Sequence, residues 1–512
     1  MRTRFIVLGL FVFVALVGGI IIAKLRNLGR DSMLLMWNSG DPLFSLQWHL
    51  IESGINVFWS NGHTGLGVLV ALIETGIMVS HAELVNKIDL MKDDGIIDLR
   101  DVDAPHINSV PDLIRGTHSA SVILGERGNG YCGSGIAPDA TLIPVLIHID
   151  DHNDTVKSLA LTRARNAGAD VIMMGWGLGN IHDFTRPSDP VYDTIKDVCS
   201  KTVCVIGSGS GGITEDCSSD GFVNHPDVFS AGAALYTGSP THSQEFCASQ
   251  LVSFRVYSYN SNTAAMVAAD PNSATECTGL FGGTDASAAY LAGMISLIKS
   301  AYPKVSPVEM RFILAMSSRD VKDPQDKPRS NEWITLNSQG LVHSTFVGFG
   351  FPKSLIILRI LDKWVPMDAP VTSEFKQVSE TVEDDMSLIR FTTVGKSLEG
   401  IVDRVVIHFK DYECTLNKMD VFLKSPSGAI AKLSNHRTRE NQKVSLVKWT
   451  LTTPAFMGES PHGDWILKMP SSCAASDITF DIITSKFLQK GVTSTSVREI
   501  LWRSRGYLHH KM

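Results

Sequence analysis

Little in this 512-residue chain is extreme. It has no low-complexity tract and no internal repeat, so nothing marks it as a repeat array or a linker. It lacks a large charge of either sign. The 46 Lys+Arg against 53 Asp+Glu leave a formal net charge of −7, which argues against a general nucleic-acid binder. Charged residues make up only 19% and apolar ones 44%, the balance of a globular chain and not of a disordered one. Past Ala23 no apolar run is long enough to cross a bilayer. The length suffices for a large core and at least two domains.

What is present begins with the N-terminus. After Met1-Arg2-Thr3-Arg4, every position from Phe5 to Ala23 is apolar or glycine, and Lys24, Arg26 and Arg30 follow. Such a run can span a bilayer and is long for a signal-peptide core. Positive charge on both flanks leaves orientation open. The expectation is a cytoplasmic and transmembrane signal-anchor over residues 1–30, with the other domains lumenal or extracellular. Cleavage and secretion are the alternative. Either route makes the eight cysteines candidates for disulfides, and Asn153-Asp154-Thr155 is a glycosylation sequon.

Between 41 and 364, glycines lead into unbroken apolar runs, as in Val68–Ile73, Ala140–Ile147, Asp170–Met174, Thr202–Ile206 and Asp227–Ala234. Runs of this kind read as strands buried on both faces. Helical segments such as Arg115–Leu124 and Thr155–Ala167 alternate with them, predicting a doubly wound parallel α/β sheet. Small residues at Gly282–Ala289 open a segment ending at Ala301 that is apolar on nearly all sides, a helix for the centre of the domain. From 370 to 487, short β-prone segments such as Arg404–Phe409 and Asp420–Lys424 are separated by turns like Ser425-Pro426-Ser427-Gly428. This predicts an all-β second domain. Residues 488–512 form a basic tail.

Several blocks in this order resemble the kexin/furin (proprotein convertase) branch of the subtilisin-like serine proteases. Ile73-Glu74-Thr75-Gly76 is similar to the strand end carrying that family's catalytic aspartate. Arg115-Gly116-Thr117-His118 is similar to its His-Gly-Thr helix start, Gly207–Gly212 to its oxyanion loop, and Gly283-Thr284-Asp285-Ala286-Ser287-Ala288 to its nucleophile turn. Gly463-Asp464-Trp465 is similar to part of its P domain. The resemblance implies a subtilisin-like doubly wound parallel sheet followed by an all-β, jelly-roll-like P domain. It also places Glu74, Arg115 and Asp285 at the three triad positions and Ser210 at that of the oxyanion asparagine.

Those four residue types do not suit acyl transfer. Arginine stays protonated and cannot act as a general base. A carboxylate attacking an amide gives a high-energy anhydride, and Ser210 is short for an oxyanion donor. Loss of the triad alone lowers rate by about 10⁶. His118 is a conceivable shifted base, but nothing restores the serine. Paired acid/base use of Glu74 and Asp285 is a further reading; a neutralising cluster with Arg115 between them is the one adopted. The expectation is therefore a catalytically inactive, secretory-pathway homologue that binds a protein or peptide partner, with a propeptide or another protease among the candidates. The alternative is a calcium-dependent serine-type endopeptidase with non-standard catalytic residues.

The resemblance implies more. The substrate groove falls at Trp176, Gly177, Asp112 and Asp220. A calcium site falls at Asp41, Glu83, Glu126, Asn129, Tyr131 and Gly133, oxygen-rich as a hard cation requires, and a second, weaker one at Glu215, Glu245 and Asn180. Family disulfides correspond to Cys132–Cys277 and Cys217–Cys247. Cys199, Cys204, Cys414 and Cys473 have no assigned family partner, although the last two could bridge within the β domain. Between Ala23 and Asp41 there is too little chain for a propeptide domain.

Overall fold

The computed structural model describes residues 40–88, 95–100, 109–148, 154–176, 184, 186–212, 214–257, 265–321, 332–393, 400–436 and 442–488. The expected anchor over 1–30, the tail from 489, and Asn153, Gly177 and Asn180 lie outside them. Among the described residues no helix is long and apolar enough to cross a membrane.

The first domain is built on seven strands: β1 (Leu69–Glu74), β2 (Ile97–Asp98), β3 (Thr141–Leu146), β4 (Val171–Met174), β5 (Val203–Gly207), β6 (Val228–Leu235) and β7 (Val252–Tyr257). They lie in the order β2-β3-β1-β4-β5-β6-β7, and every pairing is parallel. Successive side chains of a strand point to opposite faces, so each apolar run serves two cores. Val70, Leu72, Val171, Met173, Val203 and Val205 enter one core, whereas Ala71, Ile73, Ile172, Met174, Cys204 and Ile206 enter the other.

Helices close both faces. On one side are α1 (Val110–Leu124), α4 (Gly283–Ala301) and α5 (Pro307–Ser317). On the other are α2 (Asp154–Asn166) and α3 (Asp189–Cys199). The central helix α4 buries Thr284 and every residue from Ala286 to Lys299, which is why its sequence has no polar face. α1 starts five residues before the Arg115 expected from sequence. Pro111 fits a first turn that needs no N–H, and Asp112 sits at the positive end of the helix dipole.

The second domain is an eight-stranded, wholly antiparallel sheet that nearly closes on itself, with Ile430–Ser434 and Lys443–Thr453 as its edges. Trp465, Phe391, Phe480, Tyr412 and Trp449 fill its interior. The strands Val371–Glu383 and Met386–Thr393 form a hairpin turned by Asp384 and Asp385, with φ of 49° and 60°. Two consecutive left-handed residues match the twist of paired strands, and aspartate tolerates that conformation better than most residues.

The two domains are joined by buried polar contacts. Arg404 bonds Asp403 and reaches Asp227 at 2.5 Å, and Arg311 lies 3.6 Å from Asp403. Asp216 accepts hydrogen bonds from the Ser434 hydroxyl (2.9 Å) and the Asn435 N–H (2.8 Å), and Trp449 Nε1 donates to the Ser218 carbonyl at 3.0 Å.

Candidate functional site

Glu74, Arg115 and Asp285 converge although they come from three elements. Glu74 ends β1, Arg115 lies one turn into α1, and Asp285 lies in the first turn of α4. Arg115 Nε is 3.4 Å from Asp285 Oδ2, and Arg115 Nη2 is 3.9 Å from Glu74 Oε1. Close backbone packing makes the meeting possible. A Cβ on Gly116 would lie 2.2 Å from the Gly76 carbonyl oxygen, and one on Gly175 would lie 2.0 Å from Glu74 Oε1. Only glycine leaves that space.

The cluster is less ionic than expected. Glu74 is 1% exposed, and its Oε1 accepts no hydrogen bond. Burial pushes its carboxyl up to about 8; Arg115 opposes that shift and Asp285 adds to it. At neutral pH Glu74 is therefore mostly protonated, and the triad-like set is a neutral acid beside one ion pair. The guanidinium also donates to the Gly175 carbonyl, a neutral acceptor, not to Glu74. Arg115 and Asp285 are 42% and 44% exposed, so their pair is solvated.

Among the described hydroxyls near the cluster, that of Ser287 is fully buried, donates to the Gly232 carbonyl at 2.5 Å and accepts the Phe254 N–H at 3.2 Å. Thr75 donates to the Asp112 carbonyl at 2.8 Å, and Thr117 accepts the Met78 N–H at 2.9 Å. Ser210 is exposed on the loop after β5. The His118 ring packs on Phe281, with centroids 5.2 Å apart, and burial lowers its proton affinity.

The sequence profile of the subtilase family matches residues 65–340. This chain belongs to the subtilase family. The proprotein convertase P-domain profile matches residues 405–483 of this subtilase. Among curated relatives, Furin-like protease 2 of Drosophila melanogaster is 25% identical over 84% of this chain, and Kexin of Saccharomyces cerevisiae is 24% identical over 90% of it. The chain spans only 27% of the fly protein's length and 58% of the yeast protein's. The crystal structure of Aeromonas sobria serine protease with the chaperone ORF2 superposes at TM-score 0.72 and 16% identity, covering 87% of this chain and 95% of that one. The subtilase is thus homologous to the kexin/furin convertases and shares their two-domain plan.

Of the expected groove residues that are described in this subtilase, two are buried and one is half-buried. Trp176 is 3% exposed and packs edge-on against Phe222, so it serves the core. Asp220 is also buried, its carboxylate accepting the N–H groups of Phe222 (2.8 Å) and Val223 (3.2 Å) to cap a turn. Asp112 is half-buried and accepts a bond from the Ser109 hydroxyl at 2.5 Å. Each carboxylate already has local donors, which sequence cannot show.

The loop expected to hold calcium assembles in part. Buried Asp41 accepts N–H groups from Gly128 (2.8 Å) and Gly130 (3.0 Å). Glu83 Oε1 accepts Asn129 Nδ2 at 3.0 Å, while Asn129 Oδ1 takes the Tyr131 N–H at 2.9 Å. Burial pushes Glu83 up to about 8; the Asn129 bond opposes this and the Asp41 charge adds to it. Glu126 instead pairs with Lys87 at 3.0 Å, Tyr131 is 41% exposed, and Gly133 lies against the Gln47 amide. Of the second set, Glu245 accepts the Gly211 N–H at 2.8 Å, and burial pushes it up to about 8 as well. Among the described residues no three His, Cys, Asp or Glu side chains are gathered to hold a metal ion. Of the first set, Asp41, Glu83 and Asn129 thus share the loop, while Glu126, Tyr131 and Gly133 have other surroundings.

Cys132–Cys277 and Cys217–Cys247 are disulfides, as is Cys414–Cys473 within the β domain. Cys199–Cys204, joining the end of α3 to β5, is a fourth disulfide that the family resemblance does not imply. The two lie only five residues apart in sequence, a signal that was available.

Proposed function

We propose that this subtilase is catalytically inactive and acts by binding a polypeptide that it does not cut. The observation that carries this reading is Arg115, a permanent cation 3.4 Å from Asp285 and 3.9 Å from Glu74, in the place where a general base would have to stand. The buried Ser287 supports it, since its hydroxyl is held by two backbone bonds and faces away from solvent. The purified protein should show no labelling by a fluorophosphonate and no turnover of peptides with paired basic residues. Cleavage that disappears in Asp285→Ala or Ser287→Ala would establish an endopeptidase instead.

Calcium is part of the proposal. Asp41, Glu83 and Asn129 would hold it, with the amide turned so that Oδ1 faces the ion. What supports this is the pair Asp41 and Glu83, two buried acids, the second of which burial keeps protonated and which a dication would hold as a carboxylate. A bound ion would supply charge neutralisation and loop rigidity, not chemistry. Millimolar calcium should raise the melting temperature over that in chelator, and Glu83→Gln should remove the difference. Superimposed melts of the unaltered protein would exclude the site.

Four disulfides favour an oxidising compartment, so we place the described domains in the secretory pathway. Phe5–Ala23 would serve as anchor or signal. Detergent-free extraction at high pH separates the two, because only an uncleaved span stays with the membrane.

A further inference from the structure

The hairpin of the second domain leaves a strand edge open. Over Val371–Phe375 its first strand pairs with Phe480–Thr484. From Lys376 to Glu383 the pairing described is with Met386–Thr392 on the opposite side alone. Every residue from Lys376 to Asp385 is exposed, including Val378 at 52% and Val382 at 63%. An exposed edge carrying apolar side chains is a template for another strand. This edge is also acidic, with Glu380, Glu383, Asp384 and Asp385 against Lys376.

The sequence contains a segment of matching chemistry. Thr484 pairs with Val371, and the Leu488 N–H bonds the Pro366 carbonyl at 2.9 Å, so the chain leaves the described fold at the base of this same strand. Lys376 lies ten residues beyond Pro366, at most about 34 Å at ~3.4 Å per strand residue. The ten steps from Leu488 to Arg498 span about 33–36 Å if extended, so residues 489–497 can just bridge that distance. Then comes Arg498-Glu499-Ile500-Leu501-Trp502-Arg503-Ser504-Arg505. In an extended segment Ile500 and Trp502 share one face, and Arg503 and Arg505 share the other. Past the bulge at 377–379, Val382 shares its face with Glu380 and Glu383 takes the other, so apolar side chains can cover Val382 while arginines on the opposite face meet Glu383.

We propose that residues 498–505 of this chain add as a strand to the open edge at residues 376–383. Pairing in cis has a large effective concentration, so a single additional strand can be held by modest contacts. The arrangement also protects an edge that would otherwise recruit other chains.

Hydrogen exchange read by mass spectrometry tests this on the full chain and on a chain ending at Leu488. Peptides covering 376–383 should exchange roughly tenfold more slowly in the full chain, with the rest of the second domain unchanged. The double change Glu380→Lys, Glu383→Lys should remove that protection in the full chain. A synthetic peptide of residues 496–508 should restore it in the shortened chain, and a scrambled peptide of the same composition should not. Equal exchange in the two chains overturns the proposal. Protection that survives shortening and grows with protein concentration also overturns it, in favour of a second copy at the edge. Equal rescue by the scrambled peptide overturns it in favour of unspecific charge attraction.

Discussion

The cleft and the domain junction each hold a buried carboxylate facing an arginine, and the two behave oppositely. At the cleft, burial dominates and pushes Glu74 up to about 8, with Arg115 no closer than 3.9 Å. At the junction, burial is again the largest single influence on Asp227, yet Arg404, His225 and Arg311 together outweigh it and hold the carboxyl below its usual range. Arg404 reaches Asp227 at 2.5 Å. A short, desolvated contact keeps a charge that a longer, half-solvated one cannot. The junction is thus a true ion cluster, and the cleft is a protonated acid beside a surface pair.

The largest effect should come from Arg404→Met. It strands Asp227 and Asp403 in the interior and should cost about 3–5 kcal/mol. Urea denaturation at pH 7 measures it, and a change inside experimental error would put the junction in the same class as the cleft. Restoring charge with Arg404→Lys should recover only part of the loss, because lysine cannot fork between two carboxylates.

An intermediate effect is expected from pH. Glu74 binds its proton more tightly folded than unfolded, so its contribution is complete below about pH 4.5 and is lost as pH rises through about 8. Asp227 has the opposite sign, stabilising above its unfolded value near 3.8 and failing as pH falls through its lower folded value. Glu74→Gln, which mimics the protonated acid, should flatten part of the decline in melting temperature between about pH 5 and 8. Glu83 and Glu245 retain their share of it. Parallel profiles for the two proteins would mean that Glu74 is ionised.

The smallest effect should be that of Arg115→Met. With Arg115 and Asp285 each more than 40% exposed, their pair contributes at most about 1 kcal/mol. Its signature should lie elsewhere, in a further rise of the Glu74 pKa once the opposing cation is gone. Carboxyl titration by NMR reads this directly. A fall instead would show that Arg115 disfavours the carboxylate, contrary to the geometry.

The parallel sheet could be read from sequence largely because β1, β3, β4, β5 and β6 are strands buried on both faces. β7 was not, because Ser253 and Arg255 interrupt its apolar pattern. Their polarity is absorbed by contacts invisible in sequence, Ser253 with Gln250 and Arg255 with Glu52. The β-domain strands proved longer than the segments expected, Arg404–Phe409 lying inside Ile401–Thr415. Its alternation is broken by charged positions such as Arg404, which is buried. At the cleft, resemblance identified Glu74, Arg115 and Asp285, but residue type says nothing of burial. Glu74 was therefore expected to be charged. The junction was missed altogether, since Asp227, Arg311, Asp403 and Arg404 are distant in the chain and no spacing links them.

That junction also bears on the order in which the polypeptide is made. Asp227 and Arg311 emerge during synthesis well before Asp403 and Arg404, so a nascent first domain has Arg311 seated on Pro226 and Phe229 but lacks the second-domain partners of both charges. Until the second domain arrives, those side chains stay more stable in water than in place. The first domain made alone, ending near residue 365, should therefore unfold at lower urea than it does within the full chain.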